Sequence, residues 1–187
     1  MHKIALLMIA VIGFMPTAFS QEEKGQVDAY TFVAISTGGS TGGRSASFDF
    51  RITRYTTDQE VEELGNILKT QGQDGLRSAM EKLDVGRINR VGTTGTQIAV
   101  ARKKQTPAGT IITIVTPRNM SFAELYNSGR SVDYPFGFLR LTLNEKGEGT
   151  GQIMAATKIT FNKKKNEVEL ESFGNQYLKA TNVRPNK

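Results

Sequence analysis

A chain of 187 residues carrying 24 lysines and arginines against 18 acidic residues has a formal net charge of +6, and it contains no cysteine. The single histidine is His2, inside a leader expected to be removed. A mature chain without imidazole or thiol has no Ser-His-Asp or Cys-His catalysis, thiol redox chemistry, histidine-held zinc or copper, or common haem ligation.

Met1, His2 and Lys3 open into an unbroken apolar run from Ile4 to Phe14, and Pro16 precedes the small-residue segment Ala18-Phe19-Ser20. This is the three-part pattern of a secretory signal peptide, with cleavage expected after Ser20. The run would rise only about 17 Å as a helix, short of the roughly 30 Å a membrane span requires. The expectation is a protein secreted or periplasmic after cleavage, with no transmembrane segment in its mature form. Residues 21–187 are expected to form a single β-rich domain, frayed near 21–27 and 185–187.

Along that domain, Ala29 to Ile35 reads as a strand, and a glycine-rich loop from Ser36 to Ser45 comes next. Phe48, Phe50 and Ile52 then alternate with Ser47, Asp49, Arg51 and Thr53, the period of a half-buried strand, so the two segments pair as a hairpin. Helical spacing takes over from there. Thr57 and Glu60 form a capping box, and Val61, Leu64 and Leu68 make an apolar stripe that ends near Gly72. Leu76, Ala79, Met80 and Leu83 predict a second helix from Asp74 to the Gly86 stop, and this helix pair packs on the sheet.

Strands are predicted near Arg87 to Val91, Thr96 to Arg102 and Thr110 to Thr116, with turns at Gly92 to Gly95 and Thr106 to Gly109. A short helix is expected from Ser121 to Ser128. Further strands are predicted near Phe136 to Leu143, Gly151 to Phe161, Val168 to Phe173 and Leu178 to Val183. Consecutive strands with short polar connections predict an α+β, mostly β protein. Its sheet is an antiparallel meander that is strongly curved or closed into a barrel, with two packed sheets as the rival arrangement.

Four features invite a chemical reading. Gly38-Gly39-Ser40-Thr41-Gly42-Gly43-Arg44-Ser45 has the spacing of a phosphate loop with Arg in place of Lys. The residues after it alternate as a strand instead of starting a helix, so Gly38, Gly39, Gly42, Gly43 and Arg44 are read as a mobile lid or contact loop. Lys163-Lys164-Lys165 precedes Glu167, Glu169 and Glu171, which offset its field, and with no recognised motif beside it nucleic-acid binding is not expected. Arg54 and Arg90 fall on the apolar parity of their strands, unlike Arg51 and Arg140, and are the candidate ligand-binding residues, able to hold a carboxylate or phosphate with forked donors. Asp49, Glu124 and Asp133 could in principle supply a carboxylate pair. No calcium-loop pattern is present, and neither a metal nor a cofactor is assigned.

Tyr134-Pro135-Phe136, the Gly147-Glu148-Gly149-Thr150 turn, Phe173-Gly174 and Thr181-Asn182-Val183-Arg184 give the C-terminal region a pattern that resembles a group of uncharacterised exported bacterial proteins. The resemblance implies export and a β-rich domain and carries no activity or site residue. Two function classes remain. One is a non-enzymatic exported binding module for a small molecule, an envelope component or a partner protein. The other is a hydrolase or lyase that works with carboxylates and no histidine. The missing nucleophile-base pair favours the first.

Overall fold

The computed structural model describes residues 28–36, 44–120, 133–173 and 177–186. In chain order the elements are β1 (Asp28–Ser36), β2 (Ser45–Ile52), α1 (Asp58–Met80), β3 (Gly86–Arg90), β4 (Thr96–Ile98), β5 (Val100–Thr106), β6 (Gly109–Thr116), β7 (Phe136–Leu143), β8 (Gly149–Asn162), β9 (Glu167–Ser172) and β10 (Leu178–Pro185). The strands form one antiparallel sheet in the order β4-β3-β2-β1-β10-β8-β7-β6-β5, with β9 paired to β8 beside this path. The two end strands of that order are consecutive in the chain and separated by Ala99, whose N–H donates to the Val115 carbonyl on β6 at 3.0 Å. The sheet therefore curls almost back onto itself as a barrel, and the rival arrangement of two packed sheets is not what forms.

Alternation explains why the sheet curls. Phe32 and Ala34 on β1, Phe48, Phe50 and Ile52 on β2, Ile112 and Ile114 on β6, and Leu139, Leu141 and Leu143 on β7 all point inward and pack into one cluster. Phe32 stacks on Phe48 with ring centroids 5.5 Å apart, and Tyr30 on Phe50 at 5.3 Å. Ile52, Ile98, Ala101, Ile112, Ile114, Leu139, Leu141 and Ile153 have 0% exposure. With these side chains packed on one another and closed to solvent, the middle of the barrel is apolar core.

The expected helix pair is a single helix, Asp58–Met80, with Gly72 at φ 70°, ψ −162° inside it. The interruption that the sequence pattern presents as a helix end is a kink that glycine alone tolerates. It frees the next side chain for work: Gln73 accepts from the Ile159 N–H at 3.1 Å and donates to the Asp133 carbonyl at 3.0 Å, tying the helix to β8 and to the entry of β7. Leu64, Leu68, Leu76 and Met80 bury a second, smaller core against Ala99, Val100, Val115, Phe136 and Ile159 on the outside of the barrel. The capping box is formed, with Thr57 Oγ1 accepting from the Glu60 N–H at 3.2 Å and Glu60 Oε2 accepting from the Thr57 N–H at 2.8 Å. Among the described residues no helix is long and apolar enough to cross a membrane. The short helix expected over 121–128 lies outside the described residues, as does the leader.

Candidate functional site

Strand β1 enters the barrel at Asp28, and its inward parity runs Asp28, Tyr30, Phe32, Ala34. On β5 the inward parity runs Ala101, Lys103, Gln105, with Lys103 directly opposite the interior residue Ile112. The interior thus turns polar at one end, the lower mouth, where Asp28, Tyr30 and Lys103 occupy positions that hold apolar side chains further in.

A strap from Thr53 to Thr57, between β2 and α1, crosses to β5 beside this mouth. The Thr56 N–H donates to the Ala101 carbonyl at 2.8 Å, the Ala101 N–H donates to Thr56 Oγ1 at 2.9 Å, and Arg102 Nη1 donates to the Thr56 carbonyl at 2.6 Å. Thr56 is buried and fully satisfied, so the strap is fixed at its middle. It carries Tyr55, whose hydroxyl donates to Asp28 Oδ2. Lys103 Nζ reaches the same oxygen at 3.0 Å and lies 5.7 Å from the centre of the Tyr55 ring. One carboxylate therefore holds a phenol and an ammonium together at the barrel end, in partial burial, where a charge-assisted contact is stronger than on an open surface.

The electrostatics fix protonation states. Burial first, then the hydrogen bond to Asp28 and its charge, push the Tyr55 phenol far above its ordinary value. Burial, then the Asp28 charge, raises Tyr30 as well. Both phenols stay protonated at neutral pH, and that of Tyr55 donates to Asp28.

Beside this cluster a cleft of about 610 Å³ opens between the β5–β6 and β7–β8 turns. Tyr30, Lys103, Gln105, Thr110, Asn144 and Glu145 line it. The turns are rigid for local reasons. Asn144 Oδ1 accepts from the Lys146 and Glu148 N–H groups at 2.9 and 3.0 Å, an Asx arrangement that spends the amide oxygen and leaves the amide NH₂ to donate outward. Gln105 Oε1 is likewise engaged, by the Thr110 hydroxyl at 2.8 Å, which leaves its NH₂. Gly109 has φ 120° at the turn exit, where a Cβ would sit 2.1 Å from the Leu143 carbonyl, so only glycine closes the turn this tightly. An ammonium and two amide NH₂ groups around an aromatic ring suit a ligand rich in acceptor oxygens.

Arg54 and Arg90 are not brought together. Arg54 sits at the lower end, where Nη1 and Nη2 grip Glu60 at 2.9 and 2.8 Å and so anchor the helix cap. Arg90 lies at the other end of the barrel, opposite Phe48, lining a dimple of about 10 Å³ that holds no more than a water. Gly38, Gly39, Gly42 and Gly43 lie outside the described residues. Arg44 is exposed, and its carbonyl accepts from the Ser36 N–H at 3.0 Å. Asp49 is on the outer face of β2 between Thr31 and Asn89, while Asp133 precedes β7 against the kink of α1, so these two carboxylates do not converge; Glu124 lies outside the described residues.

Sequence patterning does not single out the residues that do cluster. Asp28 shares its parity with Phe32 and Ala34, a signal lost when the strand is begun at Ala29. Lys103 stands two residues from Ala101, a spacing obscured by the basic run Arg102-Lys103-Lys104. No protein-family model, curated protein or solved structure matches this chain.

Proposed function

We propose that this is an exported, non-enzymatic binding module that holds a small oxygen-rich molecule, such as a hydroxylated or carboxylate-bearing envelope component, at the lower mouth of its barrel. What carries this reading is the contrast between an apolar interior closed to solvent and a polar, partly buried cluster at the end where Tyr30 and Lys103 line a cleft of about 610 Å³. The ligand lies against Tyr30, takes hydrogen bonds from the Gln105 and Asn144 amides, and shares the Lys103 ammonium with Asp28. The separation of Asp49 from Asp133 weighs against turnover by a pair of carboxylates.

Export is part of the proposal, resting on the leader pattern and on the cleavage site after Ser20. N-terminal sequencing of the protein recovered from its own cells and medium tests it: a mature chain beginning at Gln21 outside the cytoplasm is expected, and an intact Met1 terminus inside the cell would contradict it. Native mass spectrometry of the same material tests the binding. The expected result is a mass excess that disappears on denaturation and is lost from the Lys103→Gln variant, while equal native and denatured masses for the wild type would count against a bound small molecule.

A further inference from the structure

The outer face of the barrel carries a second groove, unrelated to the lower mouth. It has a volume of about 590 Å³ and is lined by Arg140 and Thr142 on β7, Thr150 and Gln152 on β8, and Tyr177 and Lys179 at the start of β10. Register places Arg140 directly opposite Gln152, and Gln152 directly opposite Lys179, so the three stand in one row across neighbouring strands. The Cα atoms of Arg140 and Lys179 are then two strand spacings apart, about 10 Å. Among the described residues no acidic side chain lines the groove, and neither cation makes an ion pair.

Chemistry narrows the occupant. Two cations without an ion-pair partner among the described residues suit a ligand with at least two anionic groups, and the guanidinium offers a forked donor pair to a carboxylate or phosphate. Between and beside them stand an amide and two hydroxyls, which match hydroxyl groups better than bare phosphates, and Tyr177 is 47% exposed at the wall, a face on which a sugar ring can lie. A nucleic-acid track would need a longer run of cations and several stacking aromatics, which the groove lacks.

We propose that this groove binds an acidic glycan, a carbohydrate chain carrying carboxylate groups along its length, with Arg140 and Lys179 each taking one anionic group and Thr142, Thr150 and Gln152 taking hydroxyls. Occupancy is set by charge complementarity, so it weakens as salt rises toward and beyond physiological ionic strength.

The test uses the mature protein with polygalacturonate as the acidic glycan, neutral dextran, inorganic polyphosphate and single-stranded DNA, read by biolayer interferometry at low and physiological salt. Polygalacturonate is expected to bind and dextran not. The Arg140→Gln, Lys179→Gln double variant should weaken polygalacturonate binding about tenfold or more, the loss of two charge-assisted contacts. Lys163→Gln with Lys164→Gln, which removes the same charge from the β8–β9 turn, should leave binding unchanged. Circular dichroism and thermal melting of each variant establish that it is folded. Equal loss from the turn variant would show general electrostatic attraction and overturn the site. Retention by the folded double variant, no binding of polygalacturonate at low salt, or tighter binding of polyphosphate or DNA than of the glycan would each overturn the proposal as well. Failure of the Lys103 variant to retain a small ligand in the mass measurement bears on the lower mouth alone.

Discussion

The middle of the barrel and its lower mouth are built by the same strands on the same inward parity, yet they behave oppositely. Phe32 and Phe50 sit in the middle at 2% exposure, while Tyr30, still buried at 7%, and Asp28 continue β1 to the mouth, with the Asp28 side chain 15% exposed and its partner Lys103 32% exposed. In the middle, energy comes from close packing of apolar groups. At the mouth it comes from a few directed polar contacts, which are weaker in sum but specify what can sit there. The difference teaches that a polar cluster is made by changing chemistry at strand ends without changing register.

If that division holds, the largest effect belongs to the middle. Phe50→Ala removes a ring stacked on Tyr30 and is expected to cost about 3–5 kcal/mol by urea denaturation, with ligand retention lost only in proportion to unfolding. Asp28→Asn should cost less, about 1–3 kcal/mol, because the Tyr55 hydroxyl and the Lys103 ammonium both lose the charge of their acceptor, and it should alter ligand retention in the folded fraction. Lys103→Gln sharpens the comparison further: a change of about 1 kcal/mol or less in stability, because the ammonium is partly exposed, with loss of the retained ligand. A Phe50→Ala protein that loses its ligand while fully folded would blur the distinction between scaffold and site.

The smallest expected effect concerns the helix cap beside the strap. Hydrogen bonds from Arg54 come first among the causes that hold the Glu60 carboxyl at about 2, below its ordinary 4.5. A carboxylate depressed on folding contributes stability that is complete above its unfolded value and is lost as pH falls through its folded one. Thermal midpoints should therefore drop between about pH 4.5 and 2 by an amount that the Glu60→Gln variant reduces. The pair is largely exposed, so the difference is small and shrinks with added salt.

Much of the scaffold is legible in the chain. The alternation of Phe48, Phe50 and Ile52 is the interior face of β2, and Thr57 with Glu60 is the helix N-cap that forms. Gly72 misleads because glycine marks both a helix end and a kink, and the choice is made by tertiary contacts of Gln73 sixty and more residues away in sequence. The break at Ala99 is equally silent in sequence, since it arises where one strand leaves β3 to join β6. Arg54 reads as inward only if strand parity is extended past Ile52, where the chain has already turned toward the helix. The polar cluster is hard to see because its members are common residues at strand ends, and it exists only once curvature brings β1, β5 and the strap to one mouth.

The most direct test of the central claim is a methyl- and amide-resolved NMR titration of the mature protein with the compound released in the mass measurement. Binding at the lower mouth predicts shifts at Tyr30, Lys103, Gln105 and Asn144, with the methyls of Ile114, Leu139 and Ile153 unmoved. Shifts centred on those interior methyls, or conversion of the compound to a product during the titration, would contradict it.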